Sequence, residues 1–95
     1  MRLNDKVAIV TGGASGFGAG IVRKFCGEGA RVLIADLNAD MGQALADELG
    51  DAAAFVQANV ADAQSVQAMA DAAVARFGSI DILVITQVSP TYPPR

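Results

Sequence analysis

Short apolar runs alternate with longer amphipathic segments along residues 1–86, and this alternation constrains the fold more than any other feature. Four runs have the length and composition of β-strands: KVAIVT (6–11), RVLIAD (31–36), AAFVQANV (53–60) and IDILVIT (80–86). The first, second and fourth runs are apolar at successive positions, which is typical of strands covered on both faces. The runs therefore predict a parallel sheet of about four strands.

Three helices are predicted between these strands, because apolar residues recur there at intervals of three and four. These residues are Gly18, Ile21, Val22, Phe25 and Cys26, then Met41, Ala44, Leu45 and Leu49, and finally Val66, Met69, Ala70, Ala73, Val74 and Phe77. The resulting β-α-β-α-β-α-β order predicts an α/β fold of three layers, since right-handed crossovers place helices on both faces of a parallel sheet.

The predicted helices have recognisable ends. Asn38 and Asp62 precede the second and third helices, where a side-chain oxygen can accept from the first free backbone amides. Gly29, Gly50 and Gly78 stand where the three helices are expected to stop.

Composition limits which partners the chain is expected to bind and in which cellular compartment we expect it. With 95 residues and 53% hydrophobic residues, the chain is more apolar than a small self-sufficient domain needs, and we expect it to be part of something larger. The net charge of −3 and the absence of a Lys/Arg cluster disfavour nucleic acid as a partner. No run reaches membrane-spanning length and no signal-peptide core follows the start, so we expect no membrane partner and a cytoplasmic protein. The single cysteine, Cys26, is expected to pack rather than react.

The last residues differ in character from the rest. All three prolines, Pro90, Pro93 and Pro94, lie among them. We therefore divide the chain into a domain at 1–86 and an irregular Pro-rich tail at 87–95.

A glycine-rich turn, GGASGFG, follows the first predicted strand and opens the first helix. Glycines let the backbone approach a pyrophosphate closely, and a helix N-terminus offers it unpaired amides and partial positive charge. The alternative is that these glycines only make a tight turn and let the helix pack on the sheet. Their concentration at this junction favours a phosphate site.

Glycines at 12, 16 and 18 after Thr11 give a spacing that resembles the TGxxxGxG motif of the short-chain dehydrogenase/reductase family. The resemblance covers residues 3–84 and implies a Rossmann-like half-domain with strand order 3-2-1-4. The family's motif binds the cofactor pyrophosphate. By resemblance, that role falls to Gly12, Ser15, Gly16, Phe17 and Gly18.

Asp36, at the end of the second predicted strand, is the expected ribose-binding residue. A carboxylate there accepts from both ribose hydroxyls and repels the 2′-phosphate of NADP, so NAD is the expected cofactor. A turn or capping role is the alternative. Leu37 and Ser15 occupy positions where NADP-using relatives often carry arginine, and neither is basic.

Asn59 and Val60 stand where the family usually has Asp-Val lining the adenine pocket. Asn59 keeps an oxygen that can accept from the adenine amino group. Capping the loop before Asp62 is the equally weighted alternative.

The resemblance ends at Val84, since ITQV stands where the family has NNAG. The family's catalytic residues are serine, tyrosine and lysine. Here both lysines, Lys6 and Lys24, lie in the nucleotide-binding half, and Ser89 and Tyr92 do not form such a set. We therefore predict no catalytic residues, no metal site and no catalysis by this chain alone.

Three functional hypotheses follow. The first is the NAD-binding part of a short-chain dehydrogenase/reductase, truncated or shifted in frame after Val84, that binds the ADP part of NAD with a Kd on the order of 0.1 to 1 mM. The second is a non-enzymatic interaction module that pairs with itself or with a full-length relative through the apolar edge ILVIT. The third is an S-adenosylmethionine-binding domain, which the glycine spacing disfavours.

Overall fold

The computed structural model describes residues 4–12, 16–59 and 62–85. Strands and helices alternate in the predicted order. They are β1 (Val7–Thr11), α1 (Gly16–Gly27), β2 (Arg31–Asp36), α2 (Ala39–Leu49), a short 3₁₀ turn (Gly50–Ala52), β3 (Ala53–Gln57), α3 (Ala63–Phe77) and β4 (Ile82–Ile85).

The four described strands form one parallel sheet in the order β3-β2-β1-β4, which confirms the predicted fold and strand order. β1 lies at the centre, with Val7 opposite Arg31 of β2 and Ala8 opposite Ile82 of β4. On the far side of β2, Asp36 pairs with Gln57 of β3.

Helices cover both faces of the sheet. On one face, Val22 of α1 and Leu45 of α2 pack with Ala8, Val10 and Ile34. On the other face, Met69 and Ala73 of α3 pack with Ile9 and Leu33. Alternate residues of β1 and β2 therefore point into two separate apolar layers, as expected for central parallel strands.

β4 is an exception to this double coverage. All five residues of β1 are buried, whereas Leu83 of β4 is 52% exposed. Val66 and Val74 of α3, predicted to face the core, are 37% and 50% exposed. The reason is the position of α3, which packs on β1 and β2. The prediction that β4 is covered on both faces is therefore wrong for the part of the chain that the structure describes.

The predicted helix ends are confirmed. Asn38 Oδ1 accepts from Met41 N at 3.0 Å, and Asp62 Oδ1 accepts from Gln64 N at 2.9 Å. Gly50 and Gly78 are the C-caps of α2 and α3, at φ of 67° and 93°. Gly29 lies just beyond α1 with φ of 94°.

Three strand boundaries differ from prediction. β1 begins one residue later, β4 begins at Ile82 rather than at residue 80, and β3 ends at Gln57 rather than at residue 60. β3 stops there because its neighbour β2 ends at Asp36, the partner of Gln57. The tail assigned to residues 87–95 lies outside the described residues.

Candidate functional site

Three of the predicted nucleotide-binding positions lie along one edge of the sheet. Gly12 follows β1, Asp36 ends β2 and Asn59 follows β3. Because these strands are parallel neighbours, their carboxyl ends meet at the same edge. The fold thus brings together positions that lie 24 and 23 residues apart in the sequence.

The turn after β1 leaves the sheet at Gly12. Gly12 has φ of 66°, which favours glycine. Its amide donates to the carbonyl of Ala35 at 2.7 Å, so the turn is tied to the end of β2. Thr11, the residue before it, is buried and its Oγ1 donates to the Val84 carbonyl at 3.4 Å.

α1 begins at Gly16, also in the left-handed region at φ of 52°. A Cβ built at Gly16 would have no heavy atom within 4 Å. The backbone conformation therefore favours glycine here, and no described atom occupies the space that a side chain at position 16 would take. The first turn of α1 contains no acidic residue, so nothing there offsets the partial positive charge of the helix N-terminus.

The remaining predicted pyrophosphate residues are only partly described. Gly18 is buried in α1. The backbone of Phe17 belongs to α1, and Ser15 lies outside the described residues. Their assigned roles stay predictions.

Asp36 is half-buried and takes part in the turn after β2. Its Oδ1 accepts from Asn38 N at 2.9 Å, and its backbone carbonyl accepts from Ala58 N at 3.0 Å. The turn role considered from the sequence is thus present. A carboxylate has about four acceptor sites, so this role and the predicted ribose role are compatible.

Leu37 is the next residue along this edge, and its side chain is 62% exposed. Its backbone carbonyl accepts from Gln57 Nε2 at 3.0 Å. The sequence alone does not point to Gln57, because no local pattern shows which residue of β3 lies beside the end of β2.

Asn59 is exposed, and its backbone carbonyl accepts from Asp62 N at 2.9 Å. This hydrogen bond links Asn59, just after β3, to Asp62, the N-cap of α3. The adenine role of Asn59 stays a prediction, and Val60 lies outside the described residues.

The residues considered for catalysis do not gather at this edge in the described part of the chain. Lys24 forms an ion pair with Glu28 at 3.2 Å, both near the end of α1. Ser89 and Tyr92 lie outside the described residues. Among residues 4–12, 16–59 and 62–85, no group of three His, Cys, Asp or Glu side chains is placed to hold a metal ion. No helix in these ranges has both the length and the hydropathy needed to cross a membrane.

A concave surface lies at the opposite end of the sheet. An open cleft of about 540 Å³ is lined there by Asp5, Cys26, Arg31, Asp51 and Arg76, among others. Arg31 is the first residue of β2, so this cleft is separated from Asp36 by the length of the strand. Burial raises the pKa of the Cys26 thiol, which disfavours the reactive thiolate.

The parallel sheet in the order β3-β2-β1-β4, with helices on both faces, is a Rossmann-type α/β fold. The family model of short chain dehydrogenases matches residues 6–87. The chain therefore belongs to the short-chain dehydrogenase family, which confirms the family resemblance.

Individual relatives agree with this assignment. The chain is 55% identical over 86 residues to D-threitol dehydrogenase from Mycolicibacterium smegmatis, and it covers 33% of that protein. It is 49% identical over 82 residues to (+)-borneol dehydrogenase 1 from Salvia officinalis, of which it covers 32%. These alignments include 87% and 86% of the present chain. The chain thus spans about a third of the length of the curated relatives it matches.

A solved structure shares the fold. The 3-ketoacyl-(acyl-carrier-protein) reductase from Brucella melitensis, determined in complex with NADH, superposes with a TM-score of 0.83 at 42% identity. The match covers 85% of this chain and 34% of that one.

Proposed function

We propose that this chain is the NAD-binding part of a short-chain dehydrogenase and that it binds the ADP part of the cofactor. The observation that carries the proposal is the open, glycine-lined start of α1 on the same sheet edge as Asp36. The NADH complex of the Brucella reductase supports it.

The pyrophosphate would lie at the turn between β1 and α1. Gly12 and Gly16 have no Cβ to cover the backbone there, and the first amides of a helix have no intrahelical partner, so they are suited to phosphate oxygens. The absence of an acidic residue in the first turn of α1 supports binding of an anion.

The adenosine would lie across the ends of β2 and β3. Asp36 would accept from the ribose hydroxyls, and its charge would disfavour the 2′-phosphate of NADP. The exposed side chain of Leu37 offers an apolar surface beside the adenine, and Asn59 offers a side-chain oxygen to its amino group.

The chemistry of a complete protein would come from the nicotinamide, which accepts a hydride from an alcohol or donates one to a carbonyl. The residues present here would bind and orient the cofactor. We propose that this chain alone does not catalyse the reaction, because its two lysines lie at the start of the sheet and on α1. We expect a Kd for NAD on the order of 0.1 to 1 mM, since only the ADP part would be held.

The test is isothermal titration of NAD, ADP and NADP into the purified chain and into two variants. Asp36→Asn keeps an oxygen for the turn hydrogen bond but removes the charge. Asp40→Asn removes an exposed charge from the first turn of α2 and serves as the matched control. We expect NAD and ADP to bind alike, NADP to bind more weakly, and Asp36→Asn alone to reduce this preference. A folded wild-type chain that binds neither NAD nor ADP up to several millimolar would overturn the proposal.

The edge strand β4 supports a second candidate function, pairing with another copy of this chain or with a full-length relative. Leu83 lies in register with Ile9, on the face where α3 packs on β1 and β2, and is 52% exposed. Val74 of α3 is 50% exposed. An apolar edge strand is a template for strand addition. Sedimentation velocity over a range of concentrations tests this function, and a monomer at the highest concentration would contradict self-pairing. Pairing that persists in Asp36→Arg would show that self-pairing does not depend on nucleotide binding.

A further inference from the structure

We infer that Gln57 is a positioning residue that aims the Asp36 carboxylate and thereby sets the preference for NAD over NADP. The inference rests on the proposed function and extends it to a residue outside the predicted binding set. Gln57 would act through the backbone between Leu37 and Asn38 rather than by touching the cofactor.

Gln57 is the last residue of β3 and lies opposite Asp36, the last residue of β2. Its Nε2 extends past the end of β2 and donates to the Leu37 carbonyl at 3.0 Å. The next residue, Ala58, donates its backbone amide to the Asp36 carbonyl at 3.0 Å. At the end of β3, the consecutive residues Gln57 and Ala58 therefore donate to two consecutive carbonyls at the end of β2.

The link from Gln57 to the Asp36 carboxylate is a single peptide unit. The Leu37 carbonyl and the Asn38 amide belong to the same planar group, so fixing the direction of one fixes the other. Gln57 holds the carbonyl, and the amide donates to Asp36 Oδ1 at 2.9 Å. The side chain of Gln57 thus orients the N–H group that orients the carboxylate.

The far end of this loop is fixed as well. Asn38 Oδ1 accepts from Met41 N at 3.0 Å in the first turn of α2. The peptide between Leu37 and Asn38 is therefore held between a helix cap and the side chain of Gln57. Removal of the Gln57 amide would free one side of this peptide while the cap stays in place.

Loss of the hydrogen bond from Gln57 to the Leu37 carbonyl is expected to affect the two cofactors differently. The ribose hydroxyls of NAD need a carboxylate in a fixed direction, so NAD binding would weaken. A carboxylate that can turn away repels the 2′-phosphate of NADP less, so NADP binding would be unchanged or stronger. General loosening of the domain would instead weaken both cofactors together.

The test uses Gln57→Met, which is similar in length and uncharged but lacks the amide. Gln67→Met is the matched control, because Gln67 Nε2 likewise makes one exposed side-chain hydrogen bond, to Asp71 Oδ1 at 3.0 Å on α3. Titration with NAD and NADP gives the ratio of the two Kd values. We expect the NAD preference to fall about two- to fivefold in Gln57→Met, in keeping with the modest contribution of one exposed hydrogen bond, and to stay unchanged in Gln67→Met.

Two further measurements separate the possible outcomes. In an Asp36→Ala background, Gln57→Met is expected to have no additional effect on the Kd ratio, since coupled residues give non-additive changes. Hydrogen exchange of the Asn38 amide, followed by NMR, is expected to be faster in Gln57→Met without any nucleotide present.

An unchanged Kd ratio in Gln57→Met, with NAD still preferred by the wild-type chain, would overturn this inference and leave the proposed function intact. Absence of NAD binding in the wild-type chain would remove both. Unchanged exchange at Asn38 would overturn the coupling through the peptide independently of any cofactor.

Discussion

The ring of Phe55 on β3 occupies the space that a side chain at position 42 of α2 would need. A Cβ built at Gly42 lies 2.9 Å from Phe55 Cζ and closer still to two other ring atoms. Gly42 is buried, and Phe55 packs against the core between the sheet and the two helices α1 and α2. A helical glycine here allows α2 to lie directly on an aromatic ring.

We expect Gly42→Ala to destabilise the fold. Overpacking costs about 1–3 kcal/mol, and the better helix propensity of alanine offsets about 1 kcal/mol of this. Gly20→Ala is the control, since Gly20 lies in α1 and a Cβ there meets nothing within 4 Å; it is expected to be neutral or stabilising. Urea unfolding measures both, and a Gly42→Ala chain as stable as Gly20→Ala would contradict the packing argument.

Asp81, the residue before β4, is joined to the central strand β1 by two hydrogen bonds. Val7 N donates to Asp81 Oδ2 at 2.9 Å, and Asp81 N donates to the Val7 carbonyl at 2.8 Å. We expect Asp81→Ala to lower the free energy of unfolding by about 1–2 kcal/mol, because the amide loses a charged acceptor. Hydrogen exchange at Val7 is expected to accelerate in the same variant.

Asp71→Ala is the control for this substitution. Asp71 accepts from Gln67 on the exposed side of α3, and such helical pairs contribute only a few tenths of a kcal/mol. Equal losses of stability in the two variants would show that the Val7–Asp81 hydrogen bond contributes nothing specific.

The ion pair between Arg23 and Glu48 gives stability a dependence on pH. Arg23 Nε and Nη2 each donate to a Glu48 carboxylate oxygen at 3.1 Å, joining α1 to α2. The hydrogen bonds and charge of Arg23 lower the pKa of Glu48 in the folded chain. The ion pair therefore stabilises the fold fully above the unfolded-state pKa of glutamate. This stabilisation is lost as pH falls through the lower pKa of Glu48 in the folded chain.

The expected result is a stability difference between wild type and Glu48→Gln that is small at neutral pH and disappears in acid. Both side chains are about half exposed, so the difference should also shrink as salt is added. Denaturant unfolding at several pH values measures it. A difference that grows as pH falls would contradict the assigned sign.

Cys26 is expected to react slowly with alkylating reagents in the folded chain. Burial raises the pKa of its thiol, and Sγ lies 3.8 Å from the Ala52 carbonyl, to which it donates. Less thiolate is therefore present at a given pH, and the thiolate is the reactive form. Iodoacetamide labelling followed by mass spectrometry is expected to be slower than labelling of the same chain in urea. Equal rates would contradict a protected thiol.

The sequence predicts the architecture well because each element carries its own local signal. β2 is predicted at its observed bounds, since its apolar run is closed on one side by the Gly29 region and on the other by Asp36. The caps at Asn38 and Asp62 are equally local, because each depends on an amide two or three residues away.

Features that depend on contacts between neighbouring elements cannot be predicted from local sequence patterns. Val74 has the periodicity of a core residue, but its exposure depends on which strands α3 covers. Gln57 reaches Leu37 only because β2 and β3 adopt one register. The contact between Gly42 and Phe55 likewise depends on how α2 is placed over β3.

The strand order has a consequence for the time course of folding. β1 is synthesised first, yet one of its two neighbours is β4, and the Val7–Asp81 hydrogen bond joins residues 74 positions apart. Such non-local pairing is slow, because bringing the two ends of a long intervening chain together costs conformational entropy before the contact stabilises it. During translation, the most buried strand of the domain therefore keeps one side open until the fourth strand has left the ribosome. The apolar side of β1 that faces β4 is therefore the last part of this strand to be covered as the chain emerges.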